Sequence, residues 1–575
     1  LGATVSLTHA LSALAPAGAR GVELVPADAR ASELVPADSA ASRAHRAAPA
    51  IGTATPATGP ALDAITLTRG PFVQRATPSG ITVRWRTSTA TNGRVWYGAA
   101  PGTYSGFADD PASGTEHEVV LAGLTSATRY YYTVGSTTEI AAGGDSLTFR
   151  THPVAGTSVP TRIWVLGDSG VPGTNQNNVR DAFIAWTGAR DADVWLMLGD
   201  NAYNTGLDIE FQGGLFTPYR AQLQRLSLWP TRGNHDVVHS GANNDYYEFF
   251  TLPAAAEAGG LLSGTEAYYS FDFGPVHFIC LDSEGSSRAV GGAMLIWLAA
   301  DLAANARPWT IVYFHHPPYT RGSHDSDDAA DSGGRMRDMR ENALPILEAA
   351  GVDLVLTGHS HSYERSFLLD GHYGLSGTLT PAMKKNPGDG RPNGGGAYGK
   401  PTFGSAPNEG VVYAVDGSGA QISGGTLDHP AMVSSLNVLG SMIIDVAGER
   451  LDARFLSDAG VVRDSFAIVK GASTGVPGGS LATDGLRLGP ALPNPFRSEI
   501  SLSFSLATAA RVRLEIFDAS GRRVATLARG SHPSGTHSAR WNGLAEDGRA
   551  LPAGVYVASL EADGRRVTRR IALVR

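Results

Sequence analysis

One cysteine, Cys280, stands in 575 residues, so no internal disulfide can form and no thiolate cluster can hold a metal. It lies in Val276-His-Phe-Ile-Cys-Leu281, a strand-like run that suits a buried, inert thiol. Long apolar runs are also missing, and no stretch is able to span a bilayer as a helix. Strong charge of either sign is absent. A net charge of −8 is mild for this length and argues against nucleic acid as a partner. What is plentiful is glycine, 70 residues, which suits a loop-rich α/β or all-β protein better than a helical one. The length implies several domains.

Composition divides the chain. Residues 1–62 are rich in Ala, Pro, Ser and Thr, with a short duplication of Glu-Leu-Val-Pro-Ala-Asp at 23–28 and 33–38. Too few large apolar groups are present there to offset chain entropy, so a disordered linker is expected. Its first 19 residues have two readings, a signal-peptide remnant or an Ala-rich tail. Over 63–153 short period-two strands predict a β-sandwich, including Ile81, Val83 and Trp85, Val95-Trp-Tyr97 and Tyr130-Tyr-Tyr-Thr-Val134. Over 159–470 apolar strands alternate with helical patterns at 178–188, 294–304 and 336–350, predicting an α/β layered domain with helices covering a sheet. A Gly-, Pro- and Asn-rich stretch at 371–409 is expected to form loops near the site. A linker at 471–484 precedes a second β-sandwich at 485–575.

Seven oxygen and imidazole donors close short motifs along the α/β region. They are Asp168 (Gly167-Asp-Ser-Gly170), Asp200 and Tyr203 (Gly199-Asp-Asn-Ala-Tyr203), Asn234 (Gly233-Asn-His-Asp236), His315 (Val312-Tyr-Phe-His315), and His359 and His361 (Gly358-His-Ser-His361). Alone, each Gly-Asp or Asn is more often a turn residue. Five segments ending in donors, most after strand-like runs, point instead to a two-metal hydrolytic site. A carboxylate is suited to bridge two cations, and strand carboxyl ends form the crevice where α/β sheets bind ligands.

On these motifs the span 162–470 resembles the calcineurin-like metallophosphoesterases, and within them the purple acid phosphatases. The superfamily motif carries a His two places after the first Asp; Gly170 stands there, while Tyr203 appears three places after the second Asp. The resemblance implies Fe(III) held by Asp168, Tyr203, His361 and bridging Asp200, and Zn(II), Mn(II) or Fe(II) held by Asp200, Asn234, His315 and His359. It implies a phosphate-contacting role for His235 and a leaving-group proton donor in His324, with a metal-bound hydroxide attacking phosphorus in line. His316 has a packing reading and a catalytic one. The acidic run 325–331 reads as a solvated loop.

The 63–153 segment, opening on Arg69-Gly-Pro-Phe72, resembles the N-terminal domain of purple acid phosphatases, and Leu124–Tyr130 resembles the tyrosine corner of fibronectin type III domains, in which the Tyr hydrogen-bonds the backbone. Its expected role is a spacer or a wall beside the site. The last ninety or so residues resemble the sorting domain of type IX secretion cargo, on Pro493-Asn-Pro-Phe496, Phe517–Val524, Trp541-Asn-Gly543 and Pro552–Tyr556. A plain adhesion spacer is the alternative. Together these imply a secreted or cell-surface acid phosphatase acting on a small phosphoester, with secretion machinery as a partner. A phosphodiesterase or nucleotide pyrophosphatase, and a binding protein with a scaffold metal domain, are the competing functions.

Overall fold

The computed structural model describes residues 65–239, 245–392, 394–471 and, further on, 486–492, 496–506, 508–518, 520–533 and 535–574. The segment expected to be disordered at 1–62, and the linker apart from Gly471, lie outside the described residues. The chain divides into two compact units at Gly471 and Ala472.

In the first unit the alternation read from the sequence becomes four long strands, Leu67–Thr77, Gly80–Gly98, Gly106–Ala122 and Arg129–Gly135. Val73, Val83, Trp85, Val95, Val119 and Val134 fill their core. Gly80–Gly98 pairs with Leu67–Thr77 at one end and Arg129–Gly135 at the other. The expected two-sheet sandwich is therefore joined into one hydrogen-bonded set, because a single long strand serves both sides. Tyr130 makes the corner bond, its hydroxyl accepting the Thr125 N–H at 2.9 Å.

Two seven-stranded sheets follow where one was expected. The first runs Tyr269–Phe273, Val276–Cys280, Trp309–Tyr313, Leu354–Thr357, Val412–Asp416, Tyr363–Ser366, Met432–Leu436. The second runs Tyr398–Lys400, Val462–Lys470, Arg450–Ser457, Gly440–Ala447, Thr161–Leu166, Val194–Met197, Leu228–Pro230. The missed half of the second sheet is the antiparallel run 440–470, joined by tight turns rather than by crossover helices. Both sheets contribute to one core, with Ile163, Leu196, Met442 and Phe455 from one and Phe278, Ile311, Leu354 and Val412 from the other. Strands buried throughout, such as Val194–Met197, belong to a sheet covered on both faces. Outside the second sheet, Phe183 of helix Thr174–Thr187 stacks on Trp164 at 4.2 Å. Outside the first, helix Ala293–Ala304 and the 335–349 helix pack Leu295, Leu298, Leu344 and Leu347 against Ile279, Val312 and Val355.

The 335–349 helix widens into a π turn at Met339–Ala343. Pro345 has no N–H to give to Glu341, which removes one regular bond there. Within the turn Arg340 is buried and donates to the carbonyls of Pro318 and Ser326, bracing the loop that carries His324. The 371–409 stretch reaches that loop only at its start, where Ser376 bonds Asp327; its Tyr398–Lys400 strand extends the edge of the second sheet instead.

A buried charge network ties the first sheet to its helix. Both ring nitrogens of His277 meet carboxylates, Asp272 and Asp301, at 2.8 Å. Burial alone would lower the pKa of His277, but the two carboxylates outweigh it and raise it to about 9. The raised pKa makes this a stabilisation that is complete below the unfolded value near 6.5 and lost as pH rises through about 9. His277→Gln should therefore lower the unfolding free energy most at pH 6, with the gap to wild type shrinking by ~3 kcal/mol toward pH 9.5, as read by denaturant unfolding across that range. A gap independent of pH would refute the charged pairing.

Candidate metal centre

All five donor segments leave the carboxyl ends of neighbouring strands, and the backbone bends sharply as they do. Asp168, Asp200 and His359 adopt left-handed φ values of 53°, 52° and 67°. Such residues cost roughly 1 kcal/mol or more each, so surrounding bonds must hold them. They do: one oxygen of Asp168 accepts the His359 N–H at 2.8 Å, and one oxygen of Asp200 accepts the His235 N–H at 2.8 Å. The other oxygen of each carboxylate is left to face Tyr203, whose hydroxyl lies 3.3 Å from Asp168 and 3.0 Å from Asp200.

The motif glycines make this approach possible. A Cβ on Gly358 would sit 2.4 Å from Asp168 Oδ2, one on Gly233 2.1 Å from Asp200 Oδ1, and one on Gly199 2.6 Å from His315 Nδ1. Gly170 has the same character: its Cβ would lie 2.4 Å from both Ala202 N and Asn201 C. The 200–203 turn that delivers Tyr203 thus occupies the space a side chain at 170 would need.

Each of the three histidines anchors one nitrogen on the scaffold and turns the other inward. His315 Nδ1 donates to the Leu198 carbonyl at 2.9 Å, leaving Nε2 at 3.0 Å from Asn234 Oδ1, 3.2 Å from His359 Nδ1 and 3.5 Å from Asp200. His359 Nε2 lies 2.6 Å from Ser332 Oγ. His361 Nδ1 is 2.8 Å from Ser423 Oγ, while Nε2 is 3.3 Å from the Tyr203 hydroxyl and 3.6 Å from Asp168. The structure thus brings all seven expected donors together. Oxygen and nitrogen atoms of seven side chains converging at these distances, with one scaffold bond per histidine, form an arrangement that cations fit.

Electrostatics point the same way. Burial pushes Asp168 well above the usual carboxylate range, and the Asp200 charge adds to it. Burial would raise Asp200 too, but His315 and the His235 contacts outweigh it and hold it low. Against a lowering by burial, those carboxylates raise His315 to about 10. Burial, then the Asp200 and Asp168 charges, push Tyr203 well above 10, so this phenol ionises only when positive charge is supplied beside it. Burial and neighbouring histidines push His359 down, and burial leads in lowering His361, to about 4.

The two further histidines flank this cluster. His235 Nδ1 donates to the Asn204 carbonyl at 2.8 Å, and its ring lies 4.4 Å from that of Tyr203. His324 stacks on His359 at 3.9 Å with Nδ1 2.9 Å from Asp331. His316 is buried, 2.9 Å from Ser283 Oγ, with a pKa driven down by burial first and then by His315; a packing and support role fits it. The acidic run is solvated in part, with Asp325 and Asp328 exposed, while Asp327 and Asp331 are folded inward onto Arg321, Ser376 and His324.

Sequence reading missed several supporting groups. Asp236 is buried and accepts from Asn201 N (2.8 Å), Ala202 N (3.1 Å), Asn201 Nδ2 (2.8 Å) and Gly233 N (2.9 Å), tying the Tyr203 turn to the Asn234 turn. It lay inside a quoted motif, and only its carboxylate at a turn hinted at this. Ser332, Ser423 and Gln421, whose Nε2 lies 3.1 Å from His361 Nε2, belong to segments without a motif.

Known proteins resemble this chain in sequence and fold. Three family profiles match: calcineurin-like phosphoesterase over 161–363, purple acid phosphatase N-terminal domain over 72–151, and FlgD Ig-like domain over 494–565. The chain is 28% identical over 308 residues to probable purple acid phosphatase 20 of Arabidopsis thaliana, spanning 50% of this chain and 66% of that one. It is 30% identical over 325 residues to human acid phosphatase type 7, spanning 50% and 68%. A purple acid phosphatase from yellow lupin seeds shares the fold, with a TM-score of 0.53 at 17% identity over 70% of this chain and 75% of that one.

Removing the Asp236 clamp should loosen both turns at once. Asp236→Ala is expected to weaken metal binding by about 10–100-fold in chelator competition while the protein stays folded. Unchanged affinity in a folded variant would show that the clamp does not serve the donors.

Proposed function

This chain belongs to the purple acid phosphatase family, and we propose that it is a metal-dependent phosphatase hydrolysing phosphomonoesters, with Fe(III) between Asp168, Tyr203, His361 and Asp200 and a divalent Zn, Mn or Fe between Asp200, Asn234, His315 and His359. The observation that carries this reading is the Tyr203 hydroxyl, seated between two carboxylates and a histidine nitrogen. A hard phenolate donor favours a trivalent over a divalent ion. When bound, the cations supply charge to hold a phosphate and acidify water.

The chain's own groups do the rest. Asp200, with one oxygen fixed by the His235 N–H, keeps its other oxygen available between the two donor sets. His235, whose Nδ1–H is given to the Asn204 carbonyl, would contact a phosphoryl oxygen by donating a second N–H from Nε2. His324, paired with Asp331 through Nδ1, is placed to give a proton to the leaving oxygen from Nε2.

We assign this catalysis to 159–470, with 63–153 as its N-terminal domain and 485–575 as an immunoglobulin-like unit. A secreted or cell-surface location, with sorting by secretion machinery through the C-terminal unit, is the reading we attach to the FlgD-like match. Among the described residues no helix is long and apolar enough to cross a membrane.

Iron-loaded wild-type protein should show a visible phenolate-to-iron band that Tyr203→Phe abolishes, and should cleave p-nitrophenyl phosphate faster than bis(p-nitrophenyl) phosphate at acidic pH. No band in the iron-loaded wild type would reject ferric iron at Tyr203. A preference for the diester would make the phosphodiesterase reading the better one.

A further inference from the structure

Glu210 lies in the short helix Asp208–Phe211, outside every donor motif. Its carboxylate gathers four donors from one turn: the backbone N–H groups of Asn204 (2.7 Å), Thr205 (2.9 Å) and Leu207 (3.1 Å), and the Thr205 hydroxyl (3.0 Å). That turn immediately follows Tyr203. One peptide group in it faces two ways. Its N–H, from Thr205, points to Glu210, and its carbonyl, from Asn204, accepts the Nδ1–H of His235 at 2.8 Å. Because a peptide group is planar, fixing the N–H fixes where the carbonyl aims. The preceding peptide, which carries the Tyr203 carbonyl, is held by Glu210 through the Asn204 N–H in the same way. Gly206 packs so closely that a Cβ there would lie 2.2 Å from the Asp236 carbonyl oxygen, leaving the turn little room to re-form.

The same helix is gripped from the N-terminal strands. Arg86 donates to both oxygens of Asp208 at 2.8 and 2.9 Å, and Arg69 reaches the same carboxylate. The Arg69 side chain is 0% exposed, its guanidinium lies 4.3 Å from the ring centres of both Phe216 and Phe249, and its Nε donates to Gln212 at 2.9 Å. A charge buried and bonded in this manner is costly to break by removing one partner.

We propose that Glu210 is a positioning residue for Tyr203 and His235, and that Arg69 and Arg86, through Asp208, make the N-terminal strands part of the active-site scaffold rather than a spacer. The proposal rests on the phosphatase reading above, and goes beyond it by naming residues outside the donor set. The alternative is that Glu210 merely closes the first turn of a four-residue helix, as carboxylates often do. That role would cost stability without reaching His235.

The test compares full-length wild type, Glu210→Ala, Glu210→Gln and Asp208→Asn, with His277→Gln as a control destabilised far from the site. In metal-free protein labelled with 15N-histidine, the His235 Nδ1–H signal should be protected in wild type, lost in Glu210→Ala, partly kept in Glu210→Gln, and unaffected in His277→Gln. In iron-loaded protein, Glu210→Ala should shift the visible band and lower kcat by about tenfold or more with a smaller change in KM. Asp208→Asn should move the band the same way by less. A protected His235 signal together with an unshifted band in Glu210→Ala would overturn the proposal, as would a His277→Gln band that moves equally. A wild type without a band whose His235 signal still depends on Glu210 would reject the iron assignment and keep the positioning role of Glu210.

Discussion

Two buried carboxylates, a phenol, an amide and three imidazoles facing one another across about 3 to 3.6 Å form an arrangement that is unfavourable by itself, and the surrounding structure exists to hold it. Asp168, Asp200 and His315 are shut off from water, so none can relieve the crowding by solvation. The left-handed backbone at Asp168, Asp200 and His359, and the absence of a Cβ at Gly199, Gly233 and Gly358, follow from needing these groups so close. Cations of high charge would convert that crowding into binding energy, which makes the phenol of Tyr203, held well above 10 by burial and two carboxylates, the most diagnostic member of the proposed centre.

The seven candidate donors were legible in the sequence because most of their segments follow an apolar run that fixes them to a strand end. The supporting groups were not. Asp236, Glu210 and Ser332 act through backbone N–H groups or ring nitrogens of residues brought near only by folding, and no spacing announces them. Half of the second sheet escaped for a related reason: 440–470 is an antiparallel meander, which alternating strands and helices do not announce. The charge of the acidic run 325–331 suggested solvent, which Asp325 and Asp328 do face, but it gave no sign that Arg321 and His324 draw Asp327 and Asp331 inward.

The N-terminal strands change standing in this account. Composition and periodicity marked them as a separate β domain beside the site. Their buried Arg69 and paired Arg86 instead reach the helix next to Tyr203, and Phe72 enters the core shared by the two sheets. The C-terminal unit is different: it has its own core around Leu514, Ile516, Trp541 and Leu560. Its quoted motifs do turn chemistry, with Trp541 Nε1 donating to the Leu544 carbonyl at 2.9 Å and Tyr556 hydroxyl to that of Pro552 at 2.7 Å.

In the proposed centre Asp200 lies between two cations of different kind. Crystallographic anomalous scattering from metal-loaded protein, collected at the iron edge and at the edge of the second metal, measures this directly. Two peaks about 3.5–4 Å apart are expected on either side of Asp200, with the iron peak on the Tyr203 side. One peak alone, or iron on the His315 side with nothing beside Tyr203, would contradict it.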